Sequence, residues 1–130
     1  MDNPLDLAQR MYAALDDEDT GPFLELCAPD ATVEYPAEGR LPYGGNWSGK
    51  AAIDQFLAAH EAAEEILVFE PDEMHAAGER VFVLGRFEGR ARDSGRTWST
   101  NFVHVLTVRN GFLARWQSFF DTGAALEAHS

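Results

Sequence analysis

A chain of 130 residues, 45% hydrophobic and 25% charged, has the size and make-up of a single globular domain over residues 1–130. Its formal net charge of −12 argues against nucleic acid as a partner, because phosphate binding needs a concentrated lysine and arginine footprint. No apolar run approaches the ~18 residues that cross a membrane, MDNPLDLAQR lacks a basic-then-apolar leader pattern, and the lone Cys27 has no disulfide partner, so a cytoplasmic protein with no membrane partner is expected.

Leu5, Ala8, Met11, Tyr12 and Leu15 recur at helical spacing, so residues 4 to 16 read as an amphipathic helix with Pro4 near its start. The acidic run at 16–19, like Glu61–Glu65 further on, reads as solvated helix ends and faces. A second short helix covers Pro22 to Cys27; Pro29 stops it, and Ala31 to Tyr35 (ATVEY) reads as a strand. Residues 36–48, PAEGRLPYGGNWS, hold two prolines and three glycines and are expected to be a loop. Ser48 is placed to cap a third helix in which Ala52, Ile53, Phe56, Leu57 and His60 share a face. The period then changes to two. Ile66–Met74, Arg80–Arg92, Thr97–Arg109 and Phe112–Phe120 read as four long strands joined by AAGE, DSG and NG, and Asp121 or Thr122 caps a terminal helix. Helices around an early strand, followed by an antiparallel meander, make an α+β fold.

Several patterns lead nowhere. Gly44 to Lys50 (GGNWSGK) has the G-x-x-x-x-G-K spacing of a phosphate loop, but Ala51 lacks the hydroxyl that holds magnesium and no buried parallel strand precedes it. Nucleotide binding is not expected. His60, His75, His104 and His129 lie on different elements without metal-ligand spacing, so no metal is expected. Cys27, in an apolar helical stretch, reads as a small core residue rather than a nucleophile.

The segments QRMYAALDDED, FLELCAPDATVEYP, WSGKAAIDQFLAAH and HVLTVRNGFLARWQSFFDT together resemble the SnoaL-like group. That group belongs to the superfamily of nuclear transport factor two, ketosteroid isomerase, limonene epoxide hydrolase and scytalone dehydratase. The resemblance implies a strongly curved, mainly antiparallel sheet folded over the helices as a cystatin-like α+β barrel, around a cone-shaped apolar pocket. It also implies a homodimer through the outer sheet face. Because one such fold hosts many chemistries, function has to be argued from the site.

The family's catalytic positions are only partly filled. Where ketosteroid isomerase carries its base and its two oxyanion donors, this chain has Tyr35, Met11 (with Tyr12 one step round the helix), and His104 or Val103, so steroid isomerisation is not expected. Limonene epoxide hydrolase uses an Arg-x-Asp and a second Asp; Arg86-Phe87-Glu88 matches the first part, and Ser118 replaces the second. The SnoaL-type cyclases, which use an acidic base without cofactor or metal, imply His104 and Asp121, although Asp121 is also a good helix cap before TGAALEA. Thr100, Phe102, His104 and Leu106 share a strand face, as do Trp116, Ser118 and Phe120. With the family pocket in mind, Leu84, Arg86 and Glu88 are expected to complete that wall; the alternative puts Phe87 inside with Val81 and Val83. The resulting expectation is a cofactor-independent enzyme of isomerase, cyclase or dehydratase type, acting on an apolar oxygenated small molecule. Glu88 or Asp121 would be the base, His104 and Arg86 would steady an oxyanion, Trp47, Phe56, Phe102, Trp116 and Phe120 would shape the pocket, and Tyr12, Tyr35 and Ser118 would offer hydroxyls. The alternative is a non-catalytic dimeric binding module of the same fold.

Overall fold

Helix α1 (Pro4–Leu15) begins where local chemistry places it: the Asn3 side chain accepts from the Asp6 N–H at 2.8 Å, and Pro4 occupies the first turn. The computed structural model describes residues 3–130, so Met1 and Asp2, part of the segment read for a leader and of the expected 1–130 domain, lie outside the described residues. The α1 face carrying Leu7, Ala8, Met11 and Tyr12 is buried. Helix α2 (Gly21–Leu26) ends one residue before β1 (Cys27–Tyr35), so the strand begins earlier than Pro29 suggests and Cys27 is its first residue. The Cys27 thiol is fully buried 3.6 Å from the Phe23 carbonyl, and burial pushes its pKa up to about 11, as suits a core residue.

The glycine- and proline-rich segment is not all loop. Gly45–Ser48 forms β2, antiparallel to β1, with Tyr35 opposite Gly45 and Thr32 opposite Ser48. Four residues in a loop-like composition give too short an alternation to read from sequence. Ser48 therefore ends a strand, and Gly49, at φ 88°, precedes α3 (Lys50–Ala63), which buries Ile53 and Phe56. The meander follows as β3 (Glu64–Ala77), β4 (Arg80–Ala91), β5 (Thr97–Arg109) and β6 (Phe112–Phe120), then α4 (Thr122–His129). Asn110 (φ 54°) and Gly111 (φ 80°) make the left-handed turn that the NG pair foretells.

All six strands lie in one sheet, in the order β2-β1-β6-β5-β4-β3. The β1–β6 pair is parallel and the rest are antiparallel, so the sheet is mixed. It is not closed: β2 and β3 are its two edges. Register shifts at Ile66/Val68, Pro71/Glu73 and Thr107/Val108 are bulges, which bend strands.

Register also decides which residues of β4 face inward. On the β4–β5 hairpin Val83 is opposite His104, Gly85 opposite Phe102 and Phe87 opposite Thr100. Odd residues of β4 therefore share a face with even residues of β5. The expectation that Leu84, Arg86 and Glu88 complete the inner wall is corrected: they pair with Val103, Asn101 and Ser99 on the outer face, and Phe87 points in. The parity is set by the residues between Arg90 and Thr97, whose number no alternation pattern within either strand reveals.

Candidate active site

Between the helices and the inner sheet face lies a cavity of about 570 Å³. Aromatic rings dominate its walls: Tyr35 from β1, Phe56 from α3, Phe102 from β5, and Trp116 and Phe120 from β6, as anticipated, joined by Phe69, Phe87 and Trp98. Tyr35 is the hub, with ring centroids 4.7 Å from Phe56, 5.7 Å from Trp116 and 5.8 Å from Phe120. The exposed rim includes Asp17 and Glu18 after α1, and Asp54 and Glu61 on α3; Thr20 donates to Asp54 at 2.9 Å and ties the α1–α2 loop to α3. Gly85 makes room for one wall, since a Cβ there would stand 2.3 Å from the Phe102 ring.

Two polar clusters interrupt the aromatic surface. The first lies on β5 and β6. His104, 2% exposed, meets the Tyr12 hydroxyl through Nδ1 at 2.6 Å and faces Ser118 across the strand pair. Burial lowers the His104 pKa to about 3, so the ring is neutral near pH 7, and burial likewise raises the Tyr12 pKa far above its ordinary value. The Trp116 ring stands 5.2 Å from His104. Trp116 Nε1 is buried without a hydrogen-bond partner, and Ser118 Oγ, also buried, lies against the Tyr35 phenol without an aligned hydrogen bond. Burial raises the Tyr35 pKa, with the Ser118 hydroxyl opposing, so Tyr35 too stays protonated near neutral pH.

The second cluster centres on Glu64, where α3 ends and β3 begins. Its carboxylate is wholly buried, which overturns at this one residue the reading of Glu61–Glu65 as a solvated face. Oε1 accepts from Trp98 Nε1 at 2.8 Å and from the Tyr43 hydroxyl at 3.0 Å, and His129 Nε2 from α4 lies 2.8 Å away. Oε2 lies 3.1 Å from His60 Nε2 without an aligned hydrogen bond. Burial pushes the Glu64 pKa up, but His60, His129 and Trp98 outweigh it, and the carboxyl is held below the usual range. The same negative charge, added to burial, raises the Tyr43 pKa. Gly89 leaves space for this group, because a Cβ there would stand 3.1 Å from Glu64 Oε2 and 2.8 Å from Phe87.

Of the residues singled out in the sequence, His104, Tyr35, Phe56, Phe102, Trp116, Ser118 and Phe120 line the cavity. Tyr12 stands behind His104 as its hydrogen-bond partner. Trp47 is outside the lining; its Nε1 donates to the Tyr43 carbonyl at 3.2 Å and its ring packs on Phe56. Arg86 is on the outer face, donating to Asp72 at 2.9 and 3.2 Å, and that pair raises the Arg86 pKa while lowering that of Asp72. Glu88 is half-buried on the same outer face. Asp121 caps α4, accepting from the Ala124 N–H at 3.1 Å, and is exposed outside the cavity lining. Neither carboxylate stands at the site expected of a base. The residues that sequence reasoning missed are Glu64, His60, Tyr43 and Trp98. The available signal was His60 four residues before Glu64, at the point where helical periodicity gives way to alternation. Among the described residues, no group of three or more His, Cys, Asp or Glu is arranged to hold a metal ion, and no helix is long and apolar enough to cross a membrane.

Comparison with known proteins agrees with this architecture. An NTF2-like protein from Burkholderia xenovorans LB400 is 30% identical, with 98% of this chain and 95% of that one covered and a TM-score of 0.89. An NTF2-like protein of unknown function from Burkholderia pseudomallei K96243 is 27% identical, covering 100% and 99% of the two chains, with a TM-score of 0.89. TerC, co-crystallized with polyporic acid, is 30% identical over 97% of each chain, with a TM-score of 0.84. Among curated proteins none matches. Residues 8–116 match the SnoaL-like domain, and with its NTF2-like fold the chain belongs to the SnoaL-like family.

Proposed function

We propose that the protein is a small cofactor-independent enzyme doing acid–base chemistry, of isomerase, cyclase or dehydratase type, on an apolar oxygenated small molecule. One observation carries this reading: Trp116 Nε1, buried without a partner, and Ser118 Oγ, whose neighbour is the Tyr35 phenol, adjoin the neutral His104 on the wall of an aromatic cavity. In this reading Tyr12 donates to Nδ1, which leaves the imidazole proton on Nε2. Three neutral donors side by side suit a substrate oxygen that gains negative charge as a proton leaves a neighbouring carbon. The aromatic walls suit an apolar body. TerC, crystallized with polyporic acid, supports a small-molecule ligand for such a cavity.

A screen of ketones, epoxides and polyketide-like compounds, read as turnover, tests the proposal. Ser118→Ala and Trp116→Phe are expected to lower kcat on any substrate found. If both leave it unchanged, the donor set has no catalytic role.

The second reading, a non-catalytic dimeric module, draws support from the outer sheet face. Leu84, Val103 and Phe119 form a row in register there and are 39%, 37% and 53% exposed. A homodimer through this face belongs to both readings. Phe119→Lys should convert it to a monomer in sedimentation; a wild type that sediments as a monomer removes the dimer from the account. Ligand binding without turnover of any compound favours the module.

A further inference from the structure

We propose that His60 is the proton acceptor of the cavity and that the buried Glu64 carboxylate is the residue that positions it. The inference rests on the acid–base reading above and adds the base that neither Glu88 nor Asp121 is placed to supply. His60 lines the cavity, while Glu64 lies wholly buried behind the lining. Nε2 of His60 faces Glu64 Oε2 at 3.1 Å, so a proton on Nε2 leaves the Nδ1 lone pair as the acceptor. The Tyr43 ring meets the imidazole edge to face at 4.6 Å, and Phe87 at 6.0 Å, which fixes its plane.

The oxygen that faces His60 is the one without an aligned hydrogen bond, whereas Oε1 is taken by Trp98 and Tyr43 and lies 2.8 Å from His129. Such contacts between a base and its orienting carboxylate are often loose before substrate binds and tighten in the complex. Here one oxygen anchors the carboxylate to β5, α4 and the segment before β2, and the other is left for the histidine. Glu64 and Tyr43 are the titratable groups in contact with His60, His129 packs on the other side of both, and Glu61 is the next residue on α3.

5-Nitrobenzisoxazole, a flat apolar molecule, tests this without knowledge of the natural substrate. A base removes its C3 proton, the C–H electron pair forms the nitrile as the N–O bond breaks, and the charge leaves on the phenolate oxygen. The proton rests on His60 Nδ1 and passes to water. Binding is followed separately through Trp98 and Trp116 fluorescence. The wild type is expected to bind and turn over the probe, His60→Gln to bind it with roughly 100-fold lower kcat, and Glu64→Gln to lower kcat and move the inflection of the pH–rate profile. Added imidazole should restore part of the rate to His60→Ala, a rescue that a purely structural histidine would not show. Glu65→Gln, on the neighbouring carboxylate bound to Arg90, should leave the rate unchanged. Wild-type turnover in His60→Gln, or binding without turnover in the wild type, overturns the assignment of the base and leaves the donor set standing. A wild type that does not bind the probe overturns the cavity as the site, and this inference with it.

Discussion

His104 and Glu64 are both almost fully buried, 2% and 0% exposed, yet they end in opposite states. His104 has one neutral partner, the Tyr12 hydroxyl, and burial drives its pKa down to about 3. Glu64 has a tryptophan, a tyrosine and two histidines around one carboxylate, and keeps its charge. Burial disfavours a charge, and only enough donors offset that penalty. A neutral donor cluster on β5 and β6 thus lines the cavity, and an anionic cluster lies behind its wall at the α3–β3 junction. In the proposed function, the histidine in front of the anion takes a proton and the neutral donors hold the charge it leaves.

Removing the anion should break the comparison most severely. Glu64→Leu leaves the Trp98 and Tyr43 donors buried without their acceptor and strips both histidines of their carboxylate. It is expected to cost about 3–5 kcal/mol in urea unfolding, the usual loss when one side of a buried pair is removed. A loss below about 1 kcal/mol would mean that the cluster is solvated.

The neutral side is read through pH. The folded pKa of His104 lies below its ordinary value, so the unfolded chain takes up the proton first. This contribution to stability is fully present above about pH 6.5 and shrinks as pH falls toward 3, by up to about 1.4 kcal/mol per pH unit. Glu64, whose folded pKa is also lowered, contributes stability above the ordinary carboxylate pKa of about 4.3 that is lost only as pH falls below it. Between pH 6.5 and 5 the slope from this pair therefore belongs to His104. Replacing it in His104→Phe should flatten unfolding free energy against pH there; an unchanged slope would assign it elsewhere.

Smaller effects separate the cavity from the residues that merely resemble its parts. Asp121→Ala removes the α4 cap and should cost roughly 1 kcal/mol of stability, with ligand affinity unchanged in a fluorescence titration. A large affinity loss would return Asp121 to the site. Glu88→Gln on the outer face should change stability by less than about 0.5 kcal/mol and leave turnover of any substrate intact.

These contrasts follow what each sequence signal can carry. Alternation put Phe102 and His104 on one face of β5 and Trp116, Ser118 and Phe120 on one face of β6; the two-residue Asn110-Gly111 turn alone would set odd residues against even, and the bulge at Thr107/Val108 brings the two sets onto one wall. The same reasoning misplaced Arg86 and Glu88, since the longer β4–β5 connection shifts the parity by one. Helix α3 was legible from its apolar spacing, but Glu64 sits one residue beyond its end, in a run of glutamates whose other members do meet solvent. What buries it is tertiary: α4 returning with His129, Trp98 from β5, and a glycine at position 89 that leaves room. No local pattern encodes that convergence.

An NMR titration of histidine-ring nitrogens and glutamate side-chain carboxyls from pH 7 to pH 4 tests the central claim most directly. The account predicts that across this range His104 stays neutral with its proton on Nε2, and that Glu64 remains ionised after the exposed glutamates have begun to protonate. His104 protonating near pH 6.5, or Glu64 titrating together with the exposed carboxylates, would contradict it.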